Sequence, residues 1–347
     1  MCNIAGYIGN RRAAPILIEM MQREEGLYAG HFTGISTIYE GKIYTEKVVG
    51  SVERLLRRTN AMDLPGNIGI IHGRTPGPGD REWAHPFMSN DGRIAICENG
   101  SIGKYEETQH FDAVLERLRK EGVHYDSLAP DDGKYRKVDD THIAHGSDVM
   151  TQFFRSLMKS DGLSLSRAME KAMEDFAEEI VVLGLDREDP EAISFLRVNC
   201  PMMVSRNANE VYLATSAIAF PEGQTEATVL PPSSSGRITV EETQIHHFQM
   251  CKPIEPTDPK MMIKYEKLLE EMVRNSPAPL KFSKLMVRAG EFYPEDKVLQ
   301  RAQWAYEIIW KWHNEGRLVL TPYTVKYRTL DEEVETDVVQ FGISLKE

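Results

Sequence analysis

Short apolar runs and helix-period stripes alternate along the first 250 residues of the chain. Six runs have the length and composition of strands, at 4–8, 33–39, 68–72, 93–97, 180–185 and 211–214. Three stretches instead repeat apolar residues every three or four positions, at 15–23, 147–159 and 163–179. This alternation predicts one domain of mixed helices and strands over residues 2–250.

A change of pattern after residue 250 predicts a second, smaller domain at 258–347. Pro253-Ile254-Glu255-Pro256 has the composition of a linker, and Asp258-Pro259 is a typical helix start. Helical spacing follows at 259–272, 281–289 and 295–314, and two strand-like segments come last, at 318–327 and 338–345. Because three helices followed by a β-hairpin is the order of a winged helix-turn-helix, we expect a winged-helix-like domain here.

Two polar stretches interrupt the apolar pattern of the first domain. The stretch at 121–142 contains Pro130-Asp131-Asp132-Gly133 and is interpreted as a surface insertion. The segment Pro231-Pro232-Ser233-Ser234-Ser235-Gly236 has the composition of a loop.

The composition excludes several classes of protein. Of the 347 residues, 41% are hydrophobic and 27% are charged, which is typical of a soluble globular protein. The net charge of −12 opposes nucleic-acid binding over the whole surface, since such binding depends on neutralising phosphates. The four cysteines form no CxxC pair, no apolar run approaches the ~18 residues of a membrane-spanning helix, and the first residues lack the pattern of a secretory signal. We therefore expect a protein of the reducing cytoplasm, without a disulfide framework, a membrane segment or a cofactor.

Cys2 offers a chemistry that the composition does not reveal. Methionine aminopeptidase removes Met1 when residue 2 is small, and Cys2 would then carry both a thiol and a free α-amino group. That amine has a pKa of about 7.7–8, so it could take the thiol proton directly or through a water molecule. The alternative is a cysteine that packs in the core at the start of a strand, as free cysteines often do.

Several segments downstream of Cys2 together resemble one family. They follow in the order Cys2-Asn3-Ile4-Ala5-Gly6-Tyr7-Ile8-Gly9, Ile70-Ile71-His72-Gly73-Arg74-Thr75, Ala84-His85-Pro86, Cys97-Glu98-Asn99-Gly100 and Gly146-Ser147-Asp148. This set is similar to the class II glutamine amidotransferases, which are N-terminal nucleophile hydrolases, and above all to the glutaminase domain of glucosamine-6-phosphate synthases. The likeness covers residues 2–220. It implies an α+β fold, a four-layer αββα sandwich of the N-terminal nucleophile hydrolase type.

The resemblance implies a reaction as well as a fold. Cys2 would attack the side-chain amide of glutamine while its own amine takes the proton, and water would cleave the thioester after ammonia leaves. The Asn99 side-chain amide and the Gly100 N–H would stabilise the oxyanion, and no metal is needed. Taken alone, Asn99-Gly100 after a strand also fits an ordinary turn.

The same resemblance assigns four residues to substrate binding. Arg74 would bind the α-carboxylate of glutamine, which a guanidinium matches with paired hydrogen bonds, and Asp148 would pair with the α-ammonium group. Thr75 and His85 belong to the same motifs and are assigned with them. The alternatives are a surface ion pair for Arg74 and, for Asp148, a favourable interaction with the helix dipole behind an N-cap at Ser147.

The sequence departs from the family in three places. Thr75 stands where the family usually has Trp, and the segment at 28–34 lacks the Arg and the Asp of its counterpart. The separation of Asn99 and Asp148 along the chain is longer than in the family because of the stretch at 121–142. These differences concern how the glutamine pocket closes and how it communicates with an acceptor.

The predicted function is a glutaminase that supplies ammonia to a separate synthase, because residues 258–347 are too few for the sugar-isomerase domains of the synthases. Two alternatives stay open. One is a glutamine-sensing regulator whose winged helix binds DNA or a partner, and the other is a hydrolase of the same fold that acts on another amide.

Charge decides between the partners of the predicted C-terminal domain. Residues 260–328 hold 13 Lys and Arg against 8 Asp and Glu, which permits nucleic-acid binding. Asp331-Glu332-Glu333, near the turn of the hairpin, would however repel phosphate, so protein docking is favoured. His142 and His145 form an HxxH pair, but two ligands without a third give only weak support for a metal site, and none is predicted.

Overall fold

The computed structural model describes residues 2–100, 109–131, 133, 135–173, 180–224, 226–249, 258–289, 300–329 and 335–346. The strands are β1 (Asn3–Ile8), β2 (Phe32–Tyr39), β3 (Lys42–Val49), β4 (Ile68–Arg74), β5 (Phe87–Met88), β6 (Ile94–Gly100), β7 (Ala129–Pro130), β8 (His142–Ile143), β9 (Ile180–Asp186), β10 (Ile193–Arg197), β11 (Met203–Arg206), β12 (Val211–Ala214), β13 (Thr228–Val229), β14 (Ser234–Ile238), β15 (Thr243–His247), β16 (Leu280–Lys281), β17 (Leu318–Arg328) and β18 (Glu335–Leu345). The helices are α1 (Ala13–Tyr28), α2 (Val52–Arg58), α3 (Gln109–Lys120), α4 (Gly146–Asp161), α5 (Leu165–Met173), α6 (Pro259–Arg274), α7 (Phe282–Ala289) and α8 (Arg301–Asn314).

Two antiparallel sheets form the centre of the first domain. One has the strand order β13-β11-β12-β1-β4-β2-β3, and the other has the order β15-β14-β10-β9-β6-β5. β1 pairs with β12 on one side and with β4 on the other, so Cys2 directly precedes an interior strand. Every residue of β1 is buried, which explains why its sequence is a continuous apolar run rather than an alternating one.

The two sheets stack face to face between layers of helices. Ile4 and Ile8 of β1 pack into the core between the sheets, where they share a cluster with Leu183 of β9. Ala5 and Tyr7 point the other way, into a cluster with α1 and α2, as the two-residue period of a strand requires. On the far side, α3, α4 and α5 cover the second sheet. The order through the molecule is therefore helices, sheet, sheet, helices.

The C-terminal region contains the predicted series of three helices and a hairpin. β17 and β18 pair along their whole length, and the short strand β16, which was not predicted, adds to the other edge of β18. Aromatic side chains of the helices, among them Tyr265, Trp304 and Trp312, form the core of this region.

The C-terminal region packs directly on the first domain. Leu27 of α1 and Ile218 belong to the same apolar cluster as Trp304 of α8. The fully buried guanidinium of Arg197 donates a hydrogen bond of 3.1 Å to the side chain of Gln300. The two regions therefore share part of their core, while the predicted linker at 253–256 lies outside the described residues.

Most predicted helices occur with small changes in their ends. The helix predicted at 15–23 extends over Ala13–Tyr28, and the one predicted at 147–159 extends over Gly146–Asp161. Of the helix predicted at 163–179, Leu165–Met173 is helical and 174–179 lie outside the described residues. The last predicted helix, at 295–314, is described only for Arg301–Asn314.

The interpretation of 121–142 as a surface stretch is correct for most of its described residues, which are exposed, and wrong only at a few anchoring positions. Val123, Tyr125 and Val138 pack against the core under α3–α5, and Ser127 is fully buried. A few apolar side chains suffice to anchor a stretch that is polar on average. The prediction of a loop at 231–236 is also wrong at its end, because β14 begins at Ser234.

Candidate active site

Cys2 lies at the end of the first sheet, where β1 and β4 meet. Asn3 pairs with Gly73, so the antiparallel register brings Cys2 close to the last residue of β4 and to the loop that follows it. The Cys2 Sγ lies 3.7 Å from the Thr75 Oγ1, and the Cys2 backbone N–H donates a hydrogen bond of 2.8 Å to the Asn99 Oδ1. Thr75 and Asn99, which are far from Cys2 in the sequence, therefore contact it from two sides, Thr75 at the thiol and Asn99 at the backbone nitrogen.

His72 acts on the same thiol. Burial raises the pKa of the Cys2 thiol, but the neighbouring His72, the positive N-terminus and the Thr75 backbone together outweigh it, and the pKa falls from the ordinary 9.0 to about 6. The His72 Nε2 donates a hydrogen bond of 2.9 Å to the carbonyl of Glu98, which orients the ring. The His72 Nδ1 is buried and has no hydrogen-bond partner in the described part of the chain. His72 therefore stabilises the thiolate at neutral pH.

His72 is a site residue that the sequence argument quoted within a motif but gave no role. The two-residue period of β4 nevertheless indicates that His72 faces the site. Ile68 and Ile70 pack between the sheets, so His72 and Arg74, at the next two alternate positions, face the same interior. An apolar alternation that ends in a histidine and an arginine, both buried, indicates a functional end of the strand.

Asn99 combines two functions in one side chain. It lies in β6 and is 1% exposed, and while its Oδ1 accepts the hydrogen bond from Cys2, its Nδ2 has no partner in the described part of the chain. A buried amide donor without a partner costs free energy, on the order of 1–3 kcal/mol, unless a bound group uses it. Gly100 follows with a φ of +151°, a backbone conformation that favours glycine. The end of β6 thus presents a free donor beside the thiol.

Arg74 is a buried cation that forms no ion pair with the carboxylates of the described residues. Its guanidinium carbon lies 5.0 Å from the ring centre of Phe32 and 5.9 Å from that of Trp83, and its Nη1 has no hydrogen-bond partner. Burial lowers its pKa, while the neighbouring Cys2 and Tyr135 act in the opposite direction. A bound anion would stabilise a charge in this position, so the position suits a carboxylate, whereas the alternative of a surface ion pair is wrong because the side chain is buried.

A glycine-rich loop lies directly on the Arg74 guanidinium. A Cβ on Gly77 would lie 2.5 Å from the Arg74 Nη2, and a Cβ on Gly79, whose φ is +83°, would lie 2.1 Å from the ring of Trp83. Tyr135, from the stretch that was interpreted as an insertion, hydrogen-bonds to Arg74, and its ring packs against Trp83 at 5.4 Å. The sequence argument missed Tyr135 because no local pattern connects it with Arg74.

His85 lies in the wall of the same site. Its ring stacks on that of His72 with 4.0 Å between ring centres, and its Nδ1 accepts a hydrogen bond of 3.3 Å from the Glu98 N–H. Burial and the surrounding positive charges hold its pKa well below the ordinary value, so the ring is neutral. The peptide bond to Pro86 is cis.

Asp148 occupies the first turn of α4 and is completely buried. Its Oδ2 accepts hydrogen bonds from the backbone and the hydroxyl of Ser127, at 3.0 and 2.9 Å, and its Oδ1 accepts one of 3.2 Å from Gln152. Burial raises its pKa. These contacts do not include the residues around Cys2. The structure therefore brings Cys2, Arg74, Thr75 and Asn99 together, with Gly100 and His85 beside them, and places Asp148 against Ser127.

The two histidines of the HxxH pair do not converge on one point. His142 pairs with Asp139, while His145 is directed toward the rings of Trp83 and Phe87. Among the residues that the structure describes, no three His, Cys, Asp or Glu side chains are grouped as metal ligands would be. A search of the same residues found no helix of the length and apolarity that crossing a membrane requires.

Comparison with known proteins identifies relatives of this chain. No family model matches it. It is 32% identical over 224 residues, or 63% of its length, to a glutamine–fructose-6-phosphate aminotransferase (isomerizing) of Pyrococcus horikoshii. It is 29% identical over 227 residues to the protein of the same name from Bacteroides thetaiotaomicron. Each match covers 33% of the relative, so the chain spans about a third of the length of the curated relatives it matches.

Solved structures of glutamine amidotransferases have a similar fold. A glutamine phosphoribosylpyrophosphate amidotransferase from B. subtilis matches 92% of this chain and 66% of its own, with a TM-score of 0.57 at 14% identity. A structure described as the allosteric regulatory enzyme of purine biosynthesis matches 99% of this chain and 71% of its own, also with a TM-score of 0.57. The expected fold is confirmed as a mixed α/β architecture with antiparallel sheets. By sequence this chain is similar to glutamine–fructose-6-phosphate aminotransferases over about two thirds of its length, and its fold is similar to that of the solved amidotransferase structures.

Proposed function

We propose that this protein hydrolyses the side-chain amide of glutamine at Cys2 and supplies the ammonia to an acceptor enzyme. The observation that carries the proposal is the meeting of a thiol of low pKa with two buried donors that lack partners, the Asn99 Nδ2 and the Arg74 Nη1. A glutamine molecule would use both donors, one for the oxygen of the reacting amide and the other for the α-carboxylate.

The reaction begins when the Cys2 thiolate attacks the carbon of the carboxamide, forming a C–S bond and an oxyanion. The Asn99 Nδ2 and the Gly100 N–H donate to that oxyanion, and loss of one such donor costs on the order of 100- to 1,000-fold in rate. The proton that the thiol has lost is held on the α-amine of Cys2, once Met1 is removed, or on the His72 ring, and passes from there to the leaving nitrogen. Water cleaves the resulting thioester and releases glutamate and the thiol.

The Asn99 Oδ1 also has a function in this scheme. It accepts the hydrogen bond of the Cys2 nitrogen, which becomes the α-amine in the trimmed chain. One side chain therefore orients the base through its oxygen and stabilises the oxyanion through its nitrogen. This division of functions explains why an amide, which has a donor and an acceptor at one end, suits the position.

Substrate binding is proposed for the remaining predicted residues. Arg74 holds the α-carboxylate, with Thr75 and His85 lining the pocket beside it. Asp148 takes the α-ammonium group through its Oδ1, which among the described residues accepts one long hydrogen bond, of 3.2 Å, from Gln152 and has capacity for another.

We propose that the ammonia acceptor is a separate synthase and that the C-terminal region docks a partner. The chain order helix, strand, helix, helix, hairpin and the sheet order β16-β18-β17 support a winged-helix-like module. On the hairpin, Lys326 pairs with Asp337 and Arg328 with Glu335, so its cations are already neutralised. This favours protein docking over nucleic acid. The described cysteines are free thiols, which suits a reducing cytoplasm.

Mass spectrometry of the purified protein after treatment with a glutamine-analogue electrophile tests the proposal. We expect a chain that lacks Met1 and carries one adduct on Cys2, and glutamate and ammonia in equal amounts from glutamine. Cys2→Ala is the control for labelling at other thiols. Retention of Met1, or activity that survives in Cys2→Ala, would overturn the proposal, and full activity in Arg74→Ala would point to an amide without an α-carboxylate.

A further inference from the structure

The C-terminal hairpin contacts the loop that covers Arg74. The hydroxyl of Tyr327, in β17, accepts a hydrogen bond of 3.0 Å from the Gly77 N–H and donates one of 2.9 Å to the Gly77 carbonyl. In the described part of the chain, the Gly77 backbone makes no other hydrogen bond. One side chain from the C-terminal region therefore fastens both polar groups of one residue in the loop.

The position of Tyr327 is itself well defined. Its ring meets that of His31 edge-on at 4.6 Å and at 90°, and it lies 6.5 Å from the ring of Phe32. The hairpin is anchored nearby, because Gln340 of β18 donates a hydrogen bond of 3.1 Å to the carbonyl of Ala29. The hydroxyl is therefore presented to the loop from a rigid strand.

The loop transmits this contact to the predicted carboxylate site. Gly77 lies so close to the Arg74 guanidinium that even a methyl group would not fit between them. Thr75, at the start of the loop, reaches the Cys2 Sγ at 3.7 Å. A shift of Gly77 would therefore move the wall against which Arg74 is held, while the thiol and Asn99 are positioned by the strands.

We propose that Tyr327 is a positioning residue that holds the loop at 75–79 against Arg74 and so sets the affinity for the substrate carboxylate. This proposal rests on the proposed function. It makes the C-terminal hairpin a part of the substrate site, and a partner that displaces the hairpin would weaken substrate binding.

The test compares Tyr327→Phe with Tyr323→Phe. The first variant removes the hydroxyl and keeps the ring on His31. The second makes the same change four residues earlier on the same strand, where the hydroxyl is buried but has no hydrogen-bond partner in the described part of the chain. For Tyr327→Phe we expect KM for glutamine to rise about tenfold, the effect of one or two lost hydrogen bonds, while kcat stays within about twofold. Tyr323→Phe should leave both constants unchanged.

Hydrogen–deuterium exchange of the peptide that contains residues 75–83 gives a readout that does not depend on activity. Exchange should be faster in Tyr327→Phe than in the wild type and unchanged in Tyr323→Phe. Unchanged exchange, or faster exchange without a rise in KM, overturns the positioning role. If the wild-type protein does not hydrolyse glutamine, the proposed function fails, and the exchange experiment alone then decides whether Tyr327 holds the loop.

Discussion

Replacing His72 with glutamine should abolish the low pKa of the Cys2 thiol. Glutamine keeps an N–H donor for the carbonyl of Glu98, which His72 contacts at 2.9 Å, but it carries no charge. Without His72, burial is the largest remaining influence and raises the pKa, while the N-terminal charge and the Thr75 backbone still lower it. The thiol should therefore return close to its ordinary pKa of 9.0 from the present value of about 6.

The size of the effect follows from two opposing changes. At pH 7 a thiol of pKa 6 is about 90% thiolate and one of pKa 9 about 1%, which favours the wild type roughly 90-fold. The more basic thiolate is intrinsically more nucleophilic, by about 20-fold for three pKa units at a Brønsted coefficient near 0.45. The variant should therefore react about fourfold more slowly at pH 7, and the two rate profiles should cross near pH ~8.

Alkylation by iodoacetamide, measured from pH 5 to 10 on the N-terminal peptide, is the assay. The rate should level off above pH ~6.5 in the wild type and should still rise at pH ~9 in His72→Gln. His124→Gln, which changes an exposed histidine that contacts Asn90, should match the wild type. A profile of the His72→Gln variant that still levels off near pH 6, or a wild-type profile that rises beyond pH 8, would refute the reasoning.

Four further changes have defined outcomes. Asn99→Ala should lower kcat for glutamine hydrolysis by about 100- to 1,000-fold with little change in KM, measured as glutamate release. Arg74→Met should abolish saturation by glutamine in the same assay. It should also raise Tm by ~2–4 °C in calorimetry, because it removes a buried cation that has no carboxylate beside it. A fall in Tm would contradict this account. Asp148→Asn should raise KM about tenfold and leave kcat nearly unchanged, whereas an unchanged KM would exclude an ammonium contact. Burial raises the pKa of Glu25 to about 7, above its value in the unfolded chain. The wild type should therefore lose about 1.4 kcal/mol of stability per pH unit as the pH rises from ~4.5 to 7. The Tm of Glu25→Gln should exceed that of the wild type by a margin that grows over this interval, and a constant margin would contradict the assignment.

The sequence predicted the elements whose apolar pattern is local. β1, β4 and β6 are short apolar runs, and α4 has a clear stripe, so their positions follow from periodicity alone. β14 was missed because its first residues are serines, and the hydroxyl of Ser235 is buried only because it donates a hydrogen bond of 2.6 Å to Glu170. Local composition carries no sign of a partner that lies far away in the chain.

The same limit explains which residues of the candidate site could be predicted from the sequence and which could not. Cys2, Arg74 and Asn99 were found because they lie in recognisable segments, and the strand register then brings them together. The contacts of Tyr135 and Tyr327 depend on how separate parts of the chain pack, which spacing along the sequence does not encode. The hydrogen bonds from Ser127 to Asp148 belong to the same class.

Because the two regions share part of their core, they cannot easily be studied as separate fragments. Cutting the chain in the predicted linker would expose Leu27 and Ile218 on one fragment and Trp304 on the other, and would deprive the Arg197 guanidinium of its acceptor on Gln300. Each fragment would expose apolar side chains that the intact chain buries, so we expect neither to fold stably alone. Replacing the C-terminal region with another module would therefore require a redesign of the surface of the first domain on which it packs.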